Sequence, residues 1–291
     1  MADGALFPVA NALAIGAYQQ AVNEAQTLMG LSETEATERD ALMYRAYIAM
    51  GSPKVVLDEV TDGAPMALQA VKLLARYVNS NGAESDAILA TITEWLADPA
   101  CSTNPTVLLM AATIYAREGN YNEALKCSHV GTTLDLMAMS VQMFLQLDRV
   151  DFAEKQLRAM SQLDDDATLT QLATAWVNVR LGANKIQEAY YVYSELGEKF
   201  SWTARLYAGC AACQMHMGRF EEAERDLLEA LSKDAKDSDA LANLIACAMH
   251  LGKPTARHVT QLTSVDPNHP ALLRMKSLED SFARASAASV A

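Results

Sequence analysis

The chain has 291 residues, about twice the usual length of one compact domain, so one elongated domain or two compact ones would fit. With 13 Gly, 8 Pro, 7% aromatic residues and alanine at roughly one position in six, the composition favours helices and argues against a sheet-built core. Asp and Glu number 36 against 23 Lys and Arg, and the net charge of −13 disfavours direct binding to nucleic-acid phosphates or anionic lipid headgroups.

In chain order, the first apolar stretch, Leu6 to Ile15, is broken by Pro8 and Asn11 and follows no basic leader, so it makes a poor signal peptide. No run approaches the roughly 18 apolar residues of a spanning helix. Five cysteines (Cys101, Cys127, Cys210, Cys213, Cys247) lack the spacing of a disulfide framework, and Pro105 removes the only apparent glycosylation sequon at Asn104. A soluble, cytoplasmic protein is expected.

From residue 16 a short pattern recurs: a Gly or turn residue, a spacer, an aromatic or apolar residue, two spacers and Ala. Its copies are Gly16 to Ala21, Gly119-Asn120-Tyr121-Asn122-Glu123-Ala124, Asp148 to Ala153, Lys185 to Ala189 and Gly218-Arg219-Phe220-Glu221-Glu222-Ala223. Between the first and second copies, Gly51-Ser52-Pro53 reads as a hairpin turn. Pro65 to Val78 and Glu84 to Leu96 read as helices joined at Asn79-Ser80-Asn81-Gly82. Gly218 to Gly252 and Ala189 to Ala223 each span 34 residues, the tetratricopeptide period. The expected fold is all-α, a tetratricopeptide-like helical-hairpin solenoid over residues 1–291, degenerate over 1–103 and clearest over 104–254.

The residue types have physical reasons. Two antiparallel helices approach closely only where a small side chain sits at their crossing, a place for Ala124, Ala153, Ala189 and Ala223. The Gly before each crossing ends a helix in a backbone conformation that other residues adopt at a cost. Each hairpin leaves an apolar face uncovered, so hairpins stack. Residues 255–291 are expected to form a turn, Val265 to Pro270, and a C-terminal capping helix, Ala271 to Ala285, with Leu272, Leu273, Met275, Leu278 and Phe282 on its apolar side and frayed residues after it.

Tests for chemistry return structural readings. Cys210-x-x-Cys213 lies in an Ala-rich helical stretch rather than at a strand-to-helix turn, so small buried residues are expected there, not a redox pair. Cys247 and His250 fall in the equivalent helix of the next repeat but do not complete a zinc-ligand spacing. The five histidines form no metal motif, and no nucleophile elbow, Walker or dinucleotide pattern occurs. Asp164-Asp165-Asp166 precedes the helical stretch Thr168 to Leu181 and is expected to cap it. No enzyme, cofactor or metal is expected.

Binding remains. In a tetratricopeptide solenoid the first helix of each hairpin lines the concave face. Numbered from the signature, the exposed inner positions are Leu109, Thr113, Ala116, Ala138, Gln142, Leu145, Leu172, Trp176, Arg205, Ala208, Ala212, Met215, Ala246 and Met249. This groove is apolar and rich in small residues. The Lys and Asn residues with which chaperone adaptors hold an acidic peptide terminus are missing, with Asn243 the lone candidate. A permanent protein partner that buries apolar surface fits better.

Leu172-Ala173-Thr174-Ala175-Trp176-Val177-Asn178 followed by Gln187-Glu188-Ala189-Tyr190-Tyr191 resembles the epsilon-subunit family of coatomer, the coat of Golgi-derived vesicles. So do Ala14 to Ala21, and Asn243-Leu244-Ile245 leading to His250-Leu251-Gly252-Lys253-Pro254. The likeness runs over essentially the whole chain, although stretches such as Ser32 to Arg39 differ. It implies a non-catalytic coat subunit without cofactor, whose solenoid wraps part of the C-terminal domain of the coatomer alpha subunit and stabilises it. Other coat subunits are reached indirectly, and the membrane only peripherally through the coat. It also implies retrograde Golgi-to-ER and intra-Golgi transport, and a place in the cytoplasm and on Golgi membranes and coated vesicles. A tetratricopeptide adaptor for another protein or a chaperone peptide is the alternative.

Overall fold

A computed structural model describes residues 4–80 and 82–290, with side chains to residue 287. The described residues contain eighteen helices and no strand, and they divide into two compact units, Met1–Lys185 and Ile186–Ala291.

In the first unit α1 (Phe7–Ile15) packs on α2 (Tyr18–Thr27), which also meets α3 (Glu33–Ala49); α4 (Pro53–Glu59) lies against α3 and α5 (Met66–Ser80). Next, α6 (Ser85–Ala97) runs through the short α7 (Pro99–Ser102) to α8 (Pro105–Arg117), the partner of α9 (Tyr121–His129). Then α10 (Leu134–Gln146) pairs with α11 (Val150–Leu163), and α12 (Thr168–Leu181) follows. The hairpins thus continue through the stretch where the sequence signature fades, and α5 and α6 lie where the periodicity predicts them. Asn81, in the turn expected between them, lies outside the described residues.

The helix starts are local chemistry. Asn104 caps α8 by accepting from the backbone N–H of Thr106 at 3.0 Å, with Pro105 pre-set for the first helical position. Ser32 and Glu35 form a capping box on α3. The signature alanines Ala21, Ala124, Ala153, Ala189 and Ala223 all have 0% exposure, as close helix crossings require. Gly119 and Gly218 turn the chain with φ of 73° and 74°, and in a copy that begins without glycine Asp148 adopts the same left-handed region at 57°.

The first helices of successive hairpins also form a continuous run: α1 meets α3, α3 meets α5, α5 meets α8, α8 meets α10 and α10 meets α12. The run then returns to its start, because α12 packs against α1. Thr168 Oγ1 at the head of α12 donates to Asn11 Oδ1 in α1, across 157 residues of sequence. Nearby in the order of helices, Arg45 of α3 pairs with Asp135 in the first turn of α10 at 3.0 Å. Periodicity does not predict this closure.

The second unit contains α13 (Lys185–Lys199), α14 (Ala204–His216), α15 (Phe220–Lys233), α16 (Ser238–His250), α17 (Ala256–Val265) and α18 (Pro270–Val290). Here α14 packs on α15, α15 on α16 and α16 on α17, around Ala211, Leu227, Leu241 and Leu244. Two expectations are corrected. The cap of α12 is Ala167, without a side-chain hydrogen bond, while Asp164 ends α11; the acidic run is spent in the turn between them. The last helix runs to Val290, and only part of its apolar side is covered: Leu272 packs below it, while Leu278 and Phe282 are 71% and 77% exposed.

Candidate partner-binding surface

The predicted inner positions sit on α8, α10 and α12 in the first unit and on α14 and α16 in the second. On α8, Thr113 and Ala116 are half-buried, and Thr113 Oγ1 donates to the Leu109 carbonyl at 2.7 Å. On α10, Gln142 is exposed and Leu145 half-buried; on α12, Trp176 is half-buried against a cluster built on Met137, Val141 and Val177. Leu109, Ala138 and Leu172 are buried rather than exposed as expected. Leu109 belongs to a core shared with α5 and Ala138 to that of α10 and α11, so both support the wall from within.

In the second unit Arg205 and Met249 are exposed, and Ala208, Ala212, Met215 and Ala246 are half-buried. Ala208 and Met215 lean on the core of α14, α15 and α16. The half-buried members each keep one side in the core and one side available. Apolar contact and shape are what such positions offer, with Arg205 the one formal charge among them.

Four of the five cysteines are buried. Cys210, Cys213 and Cys247 have 0% exposure. Burial pushes the Cys213 thiol up to about 12 and Cys127 to about 11, and raises Cys210 as well, so all three stay protonated at neutral pH. Cys247 Sγ donates to the Phe220 carbonyl at 2.8 Å, tying α16 to α15, and the His250 ring stacks on Phe220 at 4.1 Å. No cluster of three His, Cys, Asp or Glu side chains among the described residues could hold a metal, and no described helix is long and apolar enough to cross a membrane.

Local patterning also missed a polar contact within one hairpin. Gln214 of α14, almost fully buried, donates from Nε2 to Asp226 Oδ2 of α15 at 2.8 Å, and its own Oε1 has no partner. Burial raises the pKa of Asp226 above the usual carboxylate value. Nothing in the spacing of Gln214 and Asp226 announces the pair, because polar residues at those helix positions are ordinarily solvated.

Stacked antiparallel hairpins with alanine crossings define a tetratricopeptide-type scaffold, a class that presents helix faces to other proteins. Solved structures of that class share the fold: the Cut9–Hcn1 hetero-tetramer of the APC/C matches with a TM-score of 0.62 at 14% identity, covering 92% of this chain and 53% of that one. A tetratricopeptide repeat protein from Parabacteroides merdae matches with a TM-score of 0.61 at 14% identity, covering 90% and 98%. The family is set by sequence. The coatomer epsilon subunit model matches residues 2–290, and the chain is 49% identical over 280 residues to coatomer subunit epsilon-1 of Arabidopsis thaliana, covering 96% of this chain and 95% of that protein. The coatomer epsilon subunits of Dictyostelium discoideum and Caenorhabditis elegans are 34% and 32% identical, over 92% and 98% of this chain and 93% and 98% of theirs. The chain belongs to the coatomer epsilon subunit family, a subunit of the coat in vesicle transport.

Proposed function

We propose that the chain acts as a non-catalytic structural subunit that holds a segment of the coatomer alpha subunit, from its C-terminal domain, against the inner faces of α8, α10 and α12 of the first unit; the inner faces of α14 and α16 are a second candidate surface, taken by itself. The observation that carries the reading is the closure of the first unit. A run of inner helices that returns to its own start presents one continuous, pre-shaped wall, and pre-shaping lowers the entropic cost of holding an extended or hairpin segment. The half-buried Trp176 and Leu145 and the small Thr113 and Ala116 supply apolar surface with room for a partner backbone. A chaperone-type clamp would need several Lys and Asn on these faces, and the inner positions carry Arg205 alone as a cation.

The role so assigned is scaffolding: the subunit stabilises its partner in the coat and works in the cytoplasm and at Golgi membranes and coated vesicles, in retrograde Golgi-to-ER and intra-Golgi transport. A pull-down of the tagged chain from eukaryotic cytosol, washed in high salt, tests it. Apolar burial resists salt, so a large coat subunit should stay bound. Recovery of chaperones instead, or loss of the coat subunit on washing, would overturn the reading.

A further inference from the structure

Closure of the first unit raises a question of access, because a folded partner segment must reach a wall that has no free end. Four of the five neighbouring pairs of inner helices are tied together by a helix outside them, and the fifth, α5 with α8, is held by the large apolar core that they share. The second helix packs on α1 and α3, the fourth on α3 and α5, the ninth on α8 and α10, and the eleventh on α10 and α12. Parting any of these pairs would unpack a whole hairpin. The junction of α12 with α1 differs: the two helices belong to opposite ends of the unit, and no single helix of sequence bridges them.

Polar contacts lie at and beside this seam, although Ile15 of α1 and Leu172 of α12, one turn from Asn11 and Thr168, are also buried. Thr168 Oγ1 donates to Asn11 Oδ1, and the Arg45–Asp135 pair, with side chains 24% and 43% exposed, joins α3 to the first turn of α10. Water can replace both contacts at modest cost, unlike an apolar core. The helix on the early side is also short: α1 has nine residues, begins without a side-chain cap and carries Pro8 in its first turn. Asn11 is the residue that interrupts the apolar stretch of α1, and the closed unit gives it a partner.

We infer that Asn11–Thr168, assisted by Arg45–Asp135, is a releasable clasp, and that the first unit opens at the α1–α12 seam to admit its partner segment sideways. The inference rests on the proposed binding of the C-terminal domain of the alpha subunit. In the free protein the open form is a minor state, and association proceeds through it, so the observed association rate scales with its population.

The test measures association of the full chain with the purified C-terminal domain of the alpha subunit by stopped-flow or biolayer interferometry. Thr168→Val removes the hydroxyl donor with little change in size and should speed association about three- to tenfold, the worth of one hydrogen bond in the population of the closed form. In a second variant, Asn11→Cys with Thr168→Cys, the seam is locked by oxidation or a short bifunctional thiol reagent, verified by mass. The locked chain should associate at least tenfold more slowly than the same chain reduced and unmodified, and locking after assembly should leave the complex intact. Equal rates for locked and unlocked chains, or a wild-type rate for Thr168→Val, overturn the clasp while leaving the binding reading in place. Absence of association by the unmodified wild-type chain overturns the binding reading itself, and the clasp with it.

Discussion

A methyl group added at Gly209 puts the packing of the second unit to a quantitative test. Gly209 lies inside α14, where Gly→Ala would ordinarily gain about 1 kcal/mol of helix propensity. A Cβ built there, however, comes within 2.7–2.8 Å of three ring atoms of Tyr193 on α13, closer than real carbon contacts allow. Tyr193 is 6% exposed and held by its surroundings, so the ring has little freedom to withdraw. Overpacking of this kind costs about 1–3 kcal/mol, and three simultaneous contacts put the site at the upper end, for a net loss of about 2 kcal/mol. Urea unfolding followed by far-UV circular dichroism, with Gly209→Ala made both in the wild-type background and with Tyr193→Leu, isolates the term. With the ring removed, the same methyl should stabilise the protein, reversing its sign. A Gly209→Ala chain more stable than wild type with Tyr193 in place would refute the close approach of α13 and α14.

Other expectations follow from single contacts. Asp237 accepts the Ala240 N–H at 2.9 Å as the cap of α16, so Asp237→Ala should cost about 1 kcal/mol and Asp237→Asn far less, read as midpoints of urea unfolding. Burial raises the Asp226 pKa in the folded state, so folding takes up a proton and this carboxylate opposes stability as pH rises from the ordinary carboxylate range through the raised value. Asp226→Asn, which still accepts from Gln214, should therefore melt higher than wild type at pH 7, with the difference shrinking at acid pH; a lower melting point at pH 7 would contradict it. Ile114, with 0% exposure, should cost about 2–5 kcal/mol when cut to Ala, without loss of the remaining helicity under native conditions. Trp176→Glu or Met215→Glu should weaken binding of the alpha-subunit domain about tenfold or more while leaving the circular dichroism spectrum unchanged; normal binding by both folded variants would place the contact elsewhere.

The part of this molecule that the sequence makes legible is the part with a period. Ala124, Ala153, Ala189 and Ala223 mark helix crossings because no larger residue fits there, and all four are fully buried. The hairpins of α3 to α6 have lost the signature, yet Gly51-Ser52-Pro53 and the apolar spacing still place their turn and helices. What is not legible is non-local. Asn11 looks like a flaw in an apolar stretch, and its meaning comes from Thr168, which no repeat arithmetic brings to it. Leu109 and Leu172 share the register of exposed inner positions, but neighbouring helices cover them, and how close those neighbours come is a property of the packed unit rather than of the period. The acidic run at Asp164 shows the limit of local rules: aspartates favour helix starts, but here the chain turns one residue too late for them to cap α12.

A permanent complex made by an inner helical wall should outlast conditions that screen charge. Mixing the purified chain with the C-terminal domain of the alpha subunit in high salt, and measuring the mass of the eluting species by light scattering, tests it most directly. One stable species that contains both chains and survives dilution is expected. Two separate peaks, or a complex that dissolves as salt is raised, would contradict it.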